Sequence, residues 1–356
     1  MFSSKRLSLA RMRRRLTAKS LAELTNLSPM TITRLEKGEN QPDESTVEKL
    51  AFALGYPPAF FFSEDPEPLD TEAVSFRSLT KMSAKERDAA ISAGALGLQL
   101  ADWVENRFSL PDADLIDLSY ETDVEAAARS LREHWGLGER PIGNVIGLLE
   151  TKGIRVFSLS ENTKTVDAFS FWRDSKPYVF LNNFKTAEHS IFDSIHELGH
   201  LVLHRHGGPK GDSRQVEREA NAFASAFLMP ANDVKARAPR FIDINVVLKM
   251  KSRWRVSAMA MAYRLHYLGK LTEWQYKSMC IELGRRGYRS GEPNGIERES
   301  SIVWRKVLEQ LWKQRVSKNE IARQLNIPLD ELEGLIWGLA GPARPPVLNS
   351  NGLSAV

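Results

Sequence analysis

Residues 196–206 have the sequence HELGHLVLHRH and contain four of the seven histidines in the chain. His196 and His200 are four residues apart, so on a helix both imidazoles lie on one side within about one turn. Glu197 lies beside them. In HExxH sites two histidines at this spacing bind zinc, and the glutamate accepts a proton from the attacking water. The pentapeptide alone is a modest signal, because two histidines also occur on helices that bind no metal.

A catalytic zinc needs a third protein ligand and an open position for water. His204 lies about 12 Å from His196 along a helix axis, so it reaches the same ion only if the helix ends first. His206 has the spacing of the third ligand in HExxHxxGxxH sites, but Leu203 occupies the glycine position. The remaining candidates are two glutamates in the segment VEREANAFASAFLMP, residues 216–230.

This second segment is predicted to be a helix that ends before Pro230 and buries one stripe of side chains. The stripe consists of Ala220, Phe223, Ala224 and Phe227. Glu217 and Asn221 are four residues apart, so both can face the same neighbour. We predict Glu217 as the third ligand and Asn221 as a residue that orients a histidine. Glu219 points about 200° away from Glu217 around the helix and is the weaker alternative.

The two segments HELGHLVLH and EREANAFASAFLMP, in this order, resemble the ImmA/IrrE family of zinc metallopeptidases. The stretch AFSFWRDSKPYVFLNN, residues 168–183, resembles the strand pair that precedes the active helix in that family. The resemblance covers roughly residues 124–270 and implies a gluzincin-like domain with Zn²⁺ as cofactor. It implies His196, His200 and Glu217 as ligands and Glu197 as the general base.

The same resemblance implies a substrate. It is a repressor that carries a helix-turn-helix, and its cleavage relieves repression of stress or mobile-element genes. The residue that stabilises the oxyanion is not evident from the sequence. The candidates are His189, Arg214 and His204.

Residues 16–55, LTAKSLAELTNLSPMTITRLEKGENQPDESTVEKLAFALG, have the pattern of a helix-turn-helix unit. Thr17 and Ser28 are predicted to cap its two helices, with a turn at residues 26–27 between them. Leu21, Ala22, Leu24, Ile32 and Leu35 are expected to face the core. A second helix of this kind fits the major groove with its N-terminal residues at base edges. The predicted DNA-contacting residues are Thr17, Ser28, Met30, Thr31, Thr33 and Arg34, and Arg13, Arg14 and Arg15 are expected to add phosphate contacts.

This unit resembles the phage-repressor (XRE) type of helix-turn-helix. The resemblance implies that Arg11 and Glu36 pair within the fold, and that the chain binds a double-stranded DNA operator as a homodimer on two half-sites. Ala18 departs from the family, which usually has a DNA-contacting glutamine there. The alternative is a helical domain used only for protein contacts.

Charge is uneven along the 356 residues, although the net charge is only +4. Residues 1–40 hold nine Lys or Arg and three Glu (+6), whereas residues 41–75 hold one Lys and eight Asp or Glu (−7). A basic block favours a phosphate backbone as partner, although it also suits a solvated face. No apolar run approaches the roughly 20 residues of a membrane helix. We expect no membrane segment, no secretory signal and a cytoplasmic location, where the single Cys280 stays reduced.

The chain is predicted to be mainly α with an α+β middle part. Five parts are expected: a helix-turn-helix bundle (1–62), an acidic linker and helical connector (63–122), the metallopeptidase domain with a small sheet (123–270), a helical C-terminal region (271–340) and a loose tail (341–356). Within the C-terminal region, residues 316–339 again resemble a helix-turn-helix. Their second helix is acidic, with Asp330, Glu331 and Glu333, which favours packing or oligomerisation over DNA binding.

Two hypotheses for function follow. In the first, the chain is a DNA-binding regulator with a working zinc endopeptidase that cleaves a repressor, or its own linker near residues 63–75. In the second, it is a repressor whose metal domain is a silent sensor or scaffold. The presence of His196, Glu197, His200 and Glu217 favours the first chemically. The fusion to a DNA reader favours the second, since a permanently active protease would threaten its own repressor.

Overall fold

The computed structural model describes residues 1–69, 75–76, 83–159, 168–205, 213–289 and 291–340. These residues form mainly helices with one small sheet in the middle of the chain, as predicted. The N-terminal helices are α1 (Ser4–Arg13), α2 (Ala18–Thr25), α3 (Pro29–Glu36) and α4 (Glu44–Leu54), followed by a 3-10 helix (Pro58–Phe62). The middle elements are β1 (Ser75–Phe76), α5 (Ala84–Glu105), α6 (Val124–His134), α7 (Val145–Thr151), β2 (Arg155–Leu159), β3 (Ala168–Arg173), β4 (Lys176–Asn182), α8 (Ala187–Leu203) and α9 (Ser213–Leu228). The remaining helices are α10 (Ala231–Arg237), α11 (Ile244–Trp254), α12 (Ala258–Tyr267), α13 (Glu273–Arg285), α14 (Ile302–Lys313), α15 (Lys318–Gln324) and α16 (Leu329–Ile336).

The sheet has the strand order β1-β3-β4-β2. Strands β3 and β4 form the predicted strand pair, which is antiparallel and is joined by a two-residue turn in which Asp174 and Ser175 have φ of 48° and 63°. Such left-handed residues are what a tight hairpin turn requires. Strand β2 pairs parallel to β4, and the two-residue β1 pairs antiparallel to β3. The sequence did not predict β1, which falls within the expected connector.

Helices cover both faces of this sheet. Helix α5 crosses one face at Gly97, where an added Cβ would lie 2.5 Å from the Phe180 ring, so only glycine allows this approach. Successive strand residues point to opposite faces. Phe169 in β3 lies on the α5 side, and Ser170 therefore faces α8, to which it is hydrogen-bonded. Helix α8 therefore packs on the face of the sheet opposite α5.

The N-terminal helices form the predicted helix-turn-helix. Thr17 and Ser28 cap α2 and α3, each accepting a hydrogen bond from a backbone amide in the first turn of its helix. Arg11 donates twice to the carboxylate of Glu36, at 2.6 and 2.9 Å, which confirms the expected internal pair. The prediction for Leu24 was wrong: it is 59% exposed, because the buried face of α2, formed by Leu21, Ala22 and Thr25, is centred about 100° around the helix from it.

The acidic helix α16 packs against the helix-turn-helix of its own chain. The carboxylate of Glu331, only 3% exposed, accepts from Arg13 Nε at 2.8 Å and from the Tyr56 hydroxyl at 3.0 Å, and lies 3.1 Å from Arg14. Asp330 lies 2.9 Å from Arg14. Residues 316–339 were expected to serve packing or oligomerisation, and their acidic helix packs against another part of the same chain. Carboxylates of α16 pair with both Arg13 and Arg14, and the expected phosphate contacts of these residues stay predictions.

The described part of the expected linker is attached to its neighbours. Arg6 Nε donates to the main-chain oxygen of Glu64 at 2.6 Å, and Ser3 Oγ donates to Asp65 at 2.7 Å. Arg173 of β3 lies 2.7 Å from Glu67. Residues 70–72 of the linker and the expected tail lie outside the described residues. No helix of the described residues is long and apolar enough to span a membrane.

Replacing Glu331 by glutamine should destabilise the fold by about 3–5 kcal/mol, because Arg13 and Arg14 would lose a buried counter-charge. Burial raises the pKa of Glu331, but the charges of Arg13 and Arg14, with the hydrogen bonds from Arg13 and Tyr56, lower it further than burial raises it. A lowered pKa stabilises the native state above the unfolded-state value of about 4.3 and loses that effect as pH falls below it. Denaturant unfolding at several pH values measures this.

The matched control is Glu333→Gln on the same helix, whose carboxylate is 41% exposed and 3.5 Å from Lys318. It should change stability by at most about 0.5 kcal/mol. A loss in Glu331→Gln equal to that of the control, or one that does not shrink as pH falls, would contradict the role given to this cluster.

Candidate metal centre and nucleic-acid interface

Helix α8 carries the histidine pair. It begins after Thr186, whose side chain accepts a hydrogen bond from the His189 amide, and runs through the HELGH stretch without a break. His196 and Glu197 are fully buried and His200 is 5% exposed. The Nε2 atoms of the two histidines are 3.0 Å apart, as the helical spacing indicates.

Helix α9 brings Glu217 to this pair. The two helices approach closely at Gly199, where an added Cβ would lie 3.3 Å from the Cα of Ala220 and 3.2 Å from the Phe223 ring. Ala220, Phe223, Ala224 and Phe227 are fully buried, which confirms the predicted stripe. Glu217 then places Oε2 3.4 Å from His196 Nε2 and Oε1 3.4 Å from His200 Nε2.

The three side chains fit a zinc ion. Bonds of about 2.0–2.1 Å in a tetrahedral site imply about 3.3–3.4 Å between neighbouring ligand atoms. The two histidine nitrogens are 3.0 Å apart, and each lies 3.4 Å from a different oxygen of Glu217, so the three side chains are spaced as zinc ligands are. Burial raises the pKa of Glu217, but hydrogen bonds and charge from His196 and His200 lower it further, to about 2. Glu217 is therefore a carboxylate at neutral pH, which is the form that binds metal.

One carboxylate oxygen of Glu197 is hydrogen-bonded to the sheet. Ser170 Oγ in β3 donates to Glu197 Oε2 at 2.6 Å, and both residues are buried. The sequence analysis missed Ser170. Its signal was a single hydroxyl among apolar residues in the strand AFSFW, on the face that covers α8. This hydrogen bond fixes the orientation of the predicted general base.

The other sequence candidates have different surroundings. Glu219 lies with His204, Oε2 to Nε2 at 3.0 Å, instead of with the histidine pair. Helix α8 ends at Leu203, so His204 is its C-cap residue, and His206 lies outside the described residues. Asn221 donates from Nδ2 to the main-chain oxygen of Glu217 at 2.7 Å. Its role in orienting a histidine stays a prediction.

The oxyanion candidates gain little support from these positions. His189 lies 3.1 Å from Lys185 and 3.4 Å from Asp193, each distance measured from its Nε2. Both ring nitrogens of His204 already have partners, His200 and Glu219. Arg214 is exposed at the start of α9. The group that stabilises the oxyanion stays unassigned.

The predicted DNA-contacting residues are exposed or half-buried at the start of α2 and along α3. Met30 and Arg34 are mostly exposed, and Arg34 has a loose partner in Glu39 at 3.9 Å. The hydroxyls near them make local bonds: Ser28 accepts from the Thr31 amide at 3.0 Å, and Thr33 donates to the Pro29 oxygen at 2.9 Å. The same hydroxyl oxygens can still exchange hydrogen bonds with an added partner. The contacts themselves stay predictions.

Comparison with known protein families gives one match for the helix-turn-helix and one for the part of the chain that contains the histidine pair. Residues 7–61 match the helix-turn-helix family, and residues 149–266 match the IrrE N-terminal-like domain family. The chain joins an XRE-type helix-turn-helix to an IrrE-like domain. The second match contains His196, Glu197, His200 and Glu217. No curated protein matches the chain. The chain is thus a DNA-binding regulator with a protease-like domain.

The purified chain should bind one zinc ion, and Glu217→Ala should weaken that binding by at least about a hundredfold, because three ligands become two. Glu197→Gln should keep zinc, since Glu197 is not a ligand. Metal content by atomic emission and competition with a chelator measure both. Zinc binding by Glu217→Ala that equals the wild type would contradict the ligand assignment.

Proposed function

We propose that the IrrE-like domain is a zinc-dependent endopeptidase. The observation that carries the proposal is the cluster of His196, His200 and Glu217, whose ligand atoms lie within 4.8 Å of one another. Glu197 follows His196 directly on α8. Two histidines, a carboxylate and an adjacent glutamate are the donor set of zinc peptidases. Zinc, when bound, supplies Lewis acidity that polarises a peptide carbonyl and favours deprotonation of water.

The residues of the chain perform the remaining steps. Glu197 accepts the proton of the attacking water and passes it to the leaving amine. Ser170 keeps the Glu197 carboxylate in one orientation through its hydrogen bond. The buried walls of α8 and β3 exclude other water from the carboxylate, which strengthens its interactions.

The substrate we propose is a repressor that carries a helix-turn-helix, whose cleavage relieves repression under stress or mobile-element signals. The chain's own linker near residues 63–75 is the second candidate. Its described part is exposed but attached through Glu64, Asp65 and Glu67 to α1 and β3. A peptidase needs an extended, released segment, so these contacts favour a separate repressor as the target.

For the helix-turn-helix we propose a double-stranded DNA operator. Exposed Met30 and Arg34 on α3, beside the hydroxyls of Ser28, Thr31 and Thr33, support base and phosphate contacts. The homodimer on two half-sites stays a prediction. We place the chain in the cytoplasm, the compartment that holds both proposed partners.

One observation favours the alternative, a repressor whose metal domain is a silent sensor or scaffold. His196 and Glu197 are fully buried, so neither side chain is open to a substrate in this conformation. A zinc site of this kind stabilises the domain without turnover. The cleavage experiment below separates the two functions.

Zinc-loaded wild type should cleave a peptide library prepared from digested cell protein, and Glu197→Gln should do so about 10²- to 10⁴-fold more slowly, because the proton acceptor is lost. Mass spectrometry of the products measures the rate and the preferred sequence. The tagged full-length Glu197→Gln chain, offered to untagged wild type, tests the linker as a second substrate. Equal rates from wild type and Glu197→Gln, or no zinc-dependent product, would support the silent alternative.

Arg34→Ala should weaken binding to the DNA upstream of the chain's own gene by about 1–3 kcal/mol, because a base or phosphate contact is lost. Arg286→Ala is the matched control: it removes the same charge from the exposed C-cap residue of α13, which pairs with Glu282. Gel shifts at two salt concentrations measure both variants. Equal affinities of the two variants would exclude Arg34 as a contact.

A further inference from the structure

A chain of hydrogen bonds runs from the surface to the histidine pair. Glu219 Oε2 lies 3.0 Å from His204 Nε2, and His204 Nδ1 lies 3.1 Å from His200 Nδ1. The other nitrogen of His200, Nε2, is the atom 3.4 Å from Glu217. His200 therefore has one nitrogen in the proposed zinc site and the other on His204.

The local backbone makes this chain possible. Helix α8 ends at Leu203, and His204 has φ of −121° at the C-cap. Its ring is tilted by 49° from that of His200, with the ring centres 5.2 Å apart. On α9, Gln215 donates to the second oxygen of Glu219 at 2.9 Å and steadies the carboxylate. The end of α8 thus sets the position of His204, and Gln215 near the start of α9 holds Glu219 in place.

The direction of these hydrogen bonds fixes the tautomers. A carboxylate only accepts, so the hydrogen of neutral His204 is on Nε2 and its Nδ1 accepts. The partner nitrogen, Nδ1 of His200, must then carry the hydrogen. This places the lone pair of His200 on Nε2, which is the form that binds a metal through that atom.

We propose that Glu219 and His204 are positioning residues that hold His200 in its metal-binding tautomer and orientation. Histidine ligands of metals generally donate their other ring hydrogen to an oriented acceptor, and loss of that acceptor weakens metal binding. Here an imidazole backed by a carboxylate is the acceptor. The pair consists of two residues that the sequence singled out as possible ligands but that lie outside the ligand triangle.

This inference rests on the proposed zinc centre, so the test measures zinc affinity and not only activity. Full-length His204→Phe and Glu219→Ala should each bind zinc about 10- to 100-fold more weakly than wild type in competition with a chelator. The double variant should bind within about threefold of the weaker single variant, because residues that act as one unit are not additive. Glu219→Gln, which keeps an acceptor oxygen, should lose less than Glu219→Ala.

The matched control is Glu282→Ala, which removes a carboxylate from the exposed pair with Arg286 and should leave zinc affinity unchanged. Chemical unfolding of the zinc-free chains checks that each variant folds. Nitrogen-15 NMR of labelled histidines gives a readout that loss of packing would not produce. In wild type it should place hydrogen on Nδ1 of His200 and on Nε2 of His204.

The outcomes separate the two proposals. If wild type binds zinc but His204→Phe and Glu219→Ala bind it as the control does, or if His204 carries its hydrogen on Nδ1, the positioning role is wrong. If wild type binds no zinc, the proposed metal centre fails and this inference fails with it. If wild type binds zinc and cleaves nothing, the peptidase fails while the variants still decide the positioning role. Multiplicative losses in the double variant would show that the two residues act separately.

Discussion

The close approach of α8 and α9 at Gly199 is the constraint on which the proposed site depends. The histidine pair lies on one helix and Glu217 on the other, so the depth to which α9 packs sets the distances between ligand atoms. A side chain at residue 199 would meet the backbone of Ala220. Sites of this kind tolerate displacements of only about 0.5 Å. Gly199 therefore affects the distances between the proposed zinc ligands, because it sets how closely the two helices pack.

The sequence predicted those parts of the site that depend on helical periodicity. Spacing of four residues on α8 and the apolar stripe of α9 place their side chains whatever the rest of the fold does. Glu217 and Glu219 point in different directions from α9 because they are two residues apart, and the structure shows them with different partners. Leu24 shows the limit of this reasoning, since one apolar residue fits a core stripe and an exposed face of a short helix equally well.

Contacts between distant parts of the chain could not be predicted in this way. Ser170 and Glu197 meet only because a strand crosses under α8. The acidic residues of α16 suggested packing, but nothing local in the sequence indicates that Glu331 meets Arg13 and Arg14, about three hundred residues earlier in the chain. Removing one partner of such a buried ion pair strongly destabilises the fold, because the other charge stays buried without a counter-charge. It ties the position of the helix-turn-helix to helices that flank the peptidase-like sheet.

The most direct test of the central claim is zinc K-edge X-ray absorption of the zinc-loaded full-length chain. The account predicts two imidazole nitrogens at about 2.0–2.1 Å and carboxylate or water oxygen at about 2.0–2.2 Å. Scattering from three imidazoles would add a third histidine to the ligands, and loss of the carboxylate signal would remove Glu217. Either result would contradict a centre made of His196, His200 and Glu217.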